Sequence, residues 1–97
     1  MILLHISTKD EQQAEEIVEF LIREKLVVDA FISDGEKQKL GNDGKIMKEL
    51  QFLITAKAKA LLFDKIDKEI RKKYASDVPE IYSLPIVNMD WGQSAPD

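Results

Sequence analysis

Hydrophobic and polar residues alternate in three stretches of the chain, residues 2–7, 26–33 and 46–57, and this period of two is typical of β-strands. A fourth stretch, residues 77–87, is a short apolar strand. In the last of them a proline lies near each end, at Pro79 and Pro85. Because proline cannot donate a hydrogen bond to a neighbouring strand, we expect this strand at an edge of its sheet.

Two other stretches repeat apolar residues every three or four positions, which predicts amphipathic helices. The first helix is expected to run to about Glu24 or Lys25, and Thr8 and Glu11 have the spacing of a capping box at its start. Its apolar stripe consists of Ala14, Ile17, Val18, Leu21 and Ile22. The second helix is predicted over residues 60–74, and its inner side consists of Leu62, Phe63, Ile66, Ile70 and Tyr74.

Two turn signals lie between the second and third predicted strands. We interpret Asp34-Gly35 as a bend and Asn42-Asp43-Gly44 as the turn of a β-hairpin, because an apolar run resumes directly after it. Residues 36–40, between the two signals, are polar except for Leu40. They are therefore expected to form a strand that reaches beyond the hydrophobic core.

The predicted order of elements is β-α-β-β-α-β, which indicates an α+β fold of the ferredoxin-like type in a single domain, residues 1–97. Right-handed crossovers place both helices on one face of an antiparallel four-stranded sheet. Apolar candidates for the uncovered face are Leu3, Val27, Phe31, Met47 and Leu53. This is too much apolar surface to leave in water, so the sequence predicts a homo-oligomer.

Composition excludes several kinds of site. The net charge of −4 disfavours nucleic-acid binding, and the absence of cysteine excludes disulfides and thiolate chemistry. The single histidine, His5, shares a strand face with Ser7, but no third group orients them, so we expect no enzymatic activity. No stretch is long and apolar enough for a membrane span, and we expect a cytoplasmic protein without a membrane partner.

Several short motifs resemble those of the CutA family, the divalent cation tolerance proteins. They are Pro79-Glu80-Ile81, Leu84-Pro85-Ile86, Gly44-Lys45-Ile46, Met89-Asp90-Trp91, Lys57 at the end of a strand, and the first-helix pattern Asp10, Ala14-Glu15-Glu16-Ile17, Leu21 and Leu26. The family is similar in fold to the PII signalling proteins. The resemblance implies a tight homotrimer in which long hairpins reach across to neighbouring sheets.

The resemblance also implies a site, because Lys57, Glu80 and Asp43 match positions that border the cleft between subunits in the family. The family's cysteine position holds Asp29 here, and its His-Pro-Tyr is replaced by Tyr74-Ala75-Ser76. Copper binding in the family has been proposed through that cysteine and histidine. We therefore expect no cofactor and no family-type metal site, although Glu80 carboxylates from three subunits could ligate a hard divalent cation.

Three interpretations of these residues remain open at this point. In the first, the trimer binds a small ligand or cation at its subunit clefts, where Glu80 would ligate a metal or Lys57 would bind an anion. In the second, Glu80 and Lys57 form an ion pair between subunits that fixes their register. In the third, the trimer is a scaffold for a protein partner and has lost metal binding.

Overall fold

The computed structural model describes residues 1–87, and the Met89-Asp90-Trp91 motif lies outside this range. Its elements occur in the predicted β-α-β-β-α-β order, which confirms the ferredoxin-like fold. They are β1 (Ile2–Thr8), α1 (Glu11–Arg23), β2 (Ala30–Leu40), β3 (Ile46–Ala58), a 3₁₀ turn (Ala60–Leu62) that continues into α2 (Phe63–Lys73), and β4 (Glu80–Pro85). No helix of this part of the chain is long and apolar enough to cross a membrane.

The four strands form one antiparallel sheet in the order β2-β3-β1-β4. As predicted from its prolines, β4 lies at an edge. Pro79 precedes the strand, and Pro85 is its last residue, opposite Ile2. Both prolines therefore lie where the missing backbone N–H group does not break the hydrogen bonding between strands.

The core lies between the helices and one face of the sheet. Alternate residues of β1 are buried, and Ile54 and Ala56 of β3 lie beside Ile6 and Leu4 on the same face. From the helices, the buried apolar residues are Ala14, Ile17, Leu21, Ile66 and Ile70. Both predicted helical stripes therefore face the core, although Ile22 at the end of the first stripe remains exposed.

The start of α1 differs from the prediction, because Asp10 rather than Thr8 caps the helix. The Asp10 carboxylate accepts a hydrogen bond of 2.9 Å from the Gln12 amide. Thr8 is the last residue of β1, and its buried hydroxyl donates to Gln13 Oε1. The predicted capping box of Thr8 and Glu11 is therefore wrong, since the Thr8 side chain is engaged inside the protein.

The second strand begins at Ala30 rather than Leu26 because α1 ends in a Schellman motif. The Lys25 amide donates to the Ile22 carbonyl and the Leu26 amide to the Leu21 carbonyl, while Lys25 has a φ of 57°. This reversal folds Leu26 and Val27 back onto the core. Val27 is therefore buried, and its predicted place on the uncovered face is wrong.

The hairpin of β2 and β3 is continuous from Ala30 to its turn. Asp34 and Gly35 pair with Phe52 and Gln51 in the ladder, so the predicted bend is absent. The predicted turn at residues 42–44 is confirmed, since the Gly41 amide donates to the Lys45 carbonyl. The radius of gyration is 15.2 Å, above the value of about 12.5 Å for a compact domain of this length, as expected for a long hairpin beyond the core.

Candidate functional site

We call the sheet face that lies away from the helices the open face. It carries Leu3, His5 and Ser7 of β1 together with their neighbours across the sheet. Toward one end the face includes apolar residues, with Leu84 beside Leu3, and Lys57 lies on the other side of Leu3. Phe31, in the same cross-strand row as His5, is 72% exposed. Toward the other end the face is polar, and the candidate site lies there.

A row of hydrogen-bonded side chains crosses the polar end. The Ser7 hydroxyl donates to Gln51 Oε1 at 2.8 Å, and Gln51 Nε2 donates to Glu49 Oε1 at 2.9 Å. Lys9 Nζ lies 2.9 Å from the same Glu49 oxygen. The hydrogen bond from Lys9 lowers the pKa of the Glu49 carboxyl and raises the pKa of Lys9. This row therefore carries a fixed pattern of donors and acceptors.

An ion pair between the two edge strands borders this row. Lys37 Nζ of β2 lies 3.2 Å from Glu80 Oε2 of β4, although β3 and β1 lie between these strands in the sheet. Both side chains line a cavity of about 300 Å³ on the open face, together with Ser7, Ser33, Gln51, Leu53 and Tyr82. They also line a neighbouring cavity of about 230 Å³. A ligand in either cavity would meet a cation, a carboxylate and neutral hydrogen-bonding groups.

The aromatic side chain at this site is fixed by stacking on the histidine of β1. The rings of His5 and Tyr82 are stacked with their centroids 5.1 Å apart, and the Tyr82 hydroxyl lies 3.2 Å from His5 Nδ1. His5 and Tyr82 are direct cross-strand neighbours, so the sheet itself sets this contact. Tyr82 thus presents a positioned aromatic surface to the 300 Å³ cavity.

Glu80 is positioned by the loop that leads into β4. Gln13 Nε2, on α1, donates to the Asp77 carbonyl at 2.9 Å, while Gln13 Oε1 accepts from Thr8. Pro79, the residue before Glu80, is buried. The loop is therefore held at both the helix and the core immediately before the carboxylate that it presents.

The three residues expected to form a site do not come together within one protomer. Lys57 pairs with Leu3 and Glu80 with Ser7, so the two positions are about 13 Å apart along β1 alone. Lys57 lines a separate cavity at the opposite end of the sheet. Asp43 lies in the hairpin turn, where its carboxylate accepts from the Lys45 amide at 3.0 Å. Their meeting across subunits stays a prediction.

Sequence reasoning missed Lys37 and Gln51 as partners of this site. Both lie on the open face by strand alternation, and the period-two pattern of the third strand already placed Gln51 with Leu53. The expected bend at Asp34-Gly35 removed Lys37 from the register, because a bend there breaks the alternation. Within residues 1–87, no three histidine, aspartate or glutamate side chains lie close enough together to hold a metal ion.

Comparison with known proteins gives a family match over most of the chain. A family model described as CutA1 divalent ion tolerance protein matches residues 2–92. No curated protein matches. Among solved structures, Pyrococcus horikoshii CutA is similar, with a TM-score of 0.79 and 21% identity over 97% of this chain and 92% of that one.

Two further solved structures are similar to the same extent. The divalent cation tolerance protein of Thermus thermophilus has a TM-score of 0.77 and 22% identity over 97% of this chain and 92% of its own. The protein of Archaeoglobus fulgidus described as a periplasmic divalent cation tolerance protein has a TM-score of 0.77 and 21% identity, covering 96% and 91%. At these identities the solved structures support the fold.

Proposed function

Since the chain belongs to the CutA1 divalent ion tolerance family, we propose that it is a homotrimeric, non-enzymatic binding protein. In this proposal it binds a small polar ligand or a hard cation where its subunits meet. The observation that supports it best is the open face, on which exposed apolar residues lie beside the Lys37–Glu80 site. A second subunit that covers the apolar end would also close the polar end.

Several large apolar side chains are exposed on the open face, and patches of this kind often mark protein–protein interfaces. On the open face, Phe31, Met47, Tyr82 and Leu84 are all exposed. The hairpin that carries two of them has no buried residue in β2. An edge strand such as β4 is a natural pairing site for another chain, and three-fold closure would satisfy all of these surfaces at once.

The proposed ligand site centres on Glu80 and Lys37. The carboxylate oxygens of Glu80 suit a hard divalent cation, and three-fold symmetry would supply up to three copies of Glu80 as ligands. Lys57 of a neighbouring subunit is proposed either to bind an anion there or to form an ion pair with Glu80. In the second case the residue pair sets subunit register and binds nothing.

Native mass spectrometry with and without copper, zinc and nucleotide tests both parts of the proposal. We expect three times the chain mass of 11.1 kDa and an added mass in the presence of one of these ligands. Glu80→Gln should abolish the added mass, while Glu69→Gln on the exposed side of α2 should retain it. A trimer without added mass under every condition would contradict the proposed ligand binding. A monomer would contradict both the trimer and the ligand site between subunits.

The role of the open face in assembly is tested separately. Phe31→Asp places a charge in the proposed interface, so the variant should elute as a monomer in size-exclusion chromatography with light scattering. Leu61→Asp is the matched control, because Leu61 is 81% exposed outside this face. Retention of the trimer by Phe31→Asp would contradict the proposed interface.

A scaffold role is the second candidate. It is favoured by the lack of a metal-binding cluster within residues 1–87 and by the absence of cysteine from the chain. In this case the trimer would bind a protein partner and no metal. Affinity purification should then recover one partner in fixed stoichiometry, and recovery of the chain alone would count against the scaffold.

The cellular compartment belongs to the same proposal. We propose a cytoplasmic location, whereas the similar protein of Archaeoglobus fulgidus is described as periplasmic. Fractionation of cells that express the untagged chain distinguishes the two locations.

A further inference from the structure

A third cavity, which we call the basic cavity, lies at the end of the sheet away from Glu80. It has a volume of about 420 Å³, within the range of small-molecule sites in proteins. Its apolar lining includes Ile22, Leu26, Val28 and Leu62, and three lysines, Lys25, Lys57 and Lys59, also line it. No acidic residue of the described chain lines it.

The apolar part of this cavity is in contact with water. Ile22, the end of the α1 stripe, is exposed, and Val28, at another wall of the cavity, is 92% exposed. The core does not use these side chains, although they lie directly beside buried Leu26 and Val27. An apolar group that entered the cavity would therefore remove water from side chains that the fold leaves uncovered.

The charge of the cavity contrasts with that of the chain. The chain carries a net charge of −4, whereas, among residues 1–87, the charged side chains that line this cavity are all lysines. Within residues 1–87, none of the three lysines takes part in an ion pair. Clustered like charges repel one another, so a bound anion would relieve this repulsion.

The backbone at Lys25 gives an independent indication. With a φ of 57°, Lys25 occupies the left-handed position of the Schellman motif, where glycine is the usual residue because it has no Cβ atom. The sequence keeps a lysine at this position in spite of the strain. Strained residues concentrate at functional sites, where the side chain has a use that offsets the conformational cost.

We propose that the basic cavity binds an amphipathic monoanion, a carboxylate joined to an alkyl or aryl body. The body would occupy the apolar wall of Ile22, Leu26 and Leu62, and the carboxylate would lie among Lys25, Lys57 and Lys59. Small polar anions lack the apolar body, and apolar cations are repelled by the lysines. Within one protomer this cavity is separate from the Lys37–Glu80 site, and Lys57 is the residue that both proposals use.

Isothermal titration calorimetry with decanoate, below its micelle concentration and at low ionic strength, tests this proposal on the full chain. We expect saturable binding of one decanoate per protomer. Acetate has the carboxylate without the alkyl chain, and decyltrimethylammonium has the alkyl chain with the opposite charge. Both should bind at least about tenfold more weakly if charge and apolar contact are each required.

Two variants test the site without threatening the fold. Lys25→Gly removes one cation and relieves the backbone strain, so it should keep or raise stability while decanoate binds about threefold more weakly, the effect of one exposed charge pair. Val28→Asp adds a negative charge at an exposed position and should weaken binding further. Lys48→Gln is the matched control, because Lys48 lies on the hairpin away from the cavity.

The outcomes separate this inference from the proposed function. Decanoate binding that Val28→Asp weakens, and that Glu80→Gln leaves unchanged or strengthens by freeing Lys57, supports the basic cavity. The inference is overturned if decanoate does not bind, if Val28→Asp binds it as well as the original chain, or if decyltrimethylammonium binds equally well. The last result would indicate adhesion to exposed apolar surface without recognition of the carboxylate.

Discussion

Replacing Gln13 with leucine should lower the free energy of unfolding by roughly 2 to 4 kcal/mol, because two hydrogen-bonding partners lose their bond at once. Gln13 is 4% exposed, its Oε1 accepts from the buried Thr8 hydroxyl, and its Nε2 donates to the Asp77 carbonyl at 2.9 Å. The buried Thr8 hydroxyl left unsatisfied costs about 1 to 3 kcal/mol, and the lost bond to the carbonyl of exposed Asp77, which water can replace, adds about 1 kcal/mol. Leucine is similar in volume to glutamine, so a cavity adds little to this effect.

Urea unfolding followed by far-ultraviolet circular dichroism measures the effect. All variants should be compared at one protomer concentration, since assembly would make apparent stability depend on concentration. Gln12→Leu is the matched control, because the Gln12 side chain is exposed and reaches only Glu16 at 3.4 Å. It should stay within about 0.5 kcal/mol of the original chain.

A double variant shows whether the Thr8 bond is the source of the effect. Thr8→Val together with Gln13→Leu removes both members of the buried pair, so the loss should be smaller than the sum of the single losses by roughly 1 kcal/mol. Gln13→Leu should also increase backbone hydrogen exchange at residues 77–80, because the loop before Glu80 loses its hydrogen bond to α1. The reasoning is refuted if Gln13→Leu unfolds within about 0.5 kcal/mol of the original chain, the margin of a surface substitution.

Three further predictions concern the core, the ionisation of a tyrosine and the hairpin turn. Ile54→Ala should cost about 2 to 5 kcal/mol in urea unfolding because its side chain is fully buried, whereas Leu61→Ala should be nearly neutral. Burial and a hydrogen bond to a carboxylate of α1 raise the pKa of Tyr74 above 10.0. The Tyr74 hydroxyl therefore stays protonated to a higher pH in the folded chain than in the unfolded chain. The free energy of unfolding should fall as the pH rises above about 10. A titration of unfolding free energy against pH should show this fall flattened in Tyr74→Phe. Gly44→Ala should cost about 1 kcal/mol in urea unfolding since Gly44 has a φ of 79°, while Gly35→Ala, with open space around its Cβ position, should not.

The parts of the fold that sequence predicted correctly are those in which one local pattern had one physical solution. Alternation in β1 left a single face apolar enough to be buried, and the two prolines could be accommodated only at a sheet edge. The helical stripe of α2 contains Ile66 and Ile70 four residues apart, and both are fully buried. These signals require no knowledge of distant residues.

The start of β2 was predicted wrongly because three consecutive apolar residues, Leu26 to Val28, fit a strand as well as a loop folded onto the core. The left-handed residue Lys25 decides between them, and lysine is not the residue type that indicates such a position. Similarly, Asp34-Gly35 has the composition of a turn, yet pairing with Phe52 and Gln51 keeps it extended. In both places tertiary contacts override a local preference.

The candidate site was only partly predictable, because its polar members come together through register between distant strands. Glu80 was identified from a resemblance, but Lys37, Gln51 and Ser7 join it only once all four strands are aligned. The number of residues between Lys37 and Glu80 along the chain gives no indication of their contact. If the second strand had been predicted to stay extended through residues 34 and 35, its alternation would have placed Lys37 on the open face, with Gln51 and Ser7.

The contact between Lys37 and Glu80 also bears on the open question of whether Glu80 binds a ligand or pairs with Lys57 of a neighbour. Both side chains of the observed pair are largely exposed, and such pairs contribute only about 0 to 1 kcal/mol. A ligand or a neighbouring lysine could therefore displace Lys37 at little cost. Lys37→Gln distinguishes the two cases, because loss of the lysine should weaken binding of an anionic or zwitterionic ligand, or strengthen binding of a cation, but leave a Lys57–Glu80 pair between subunits intact.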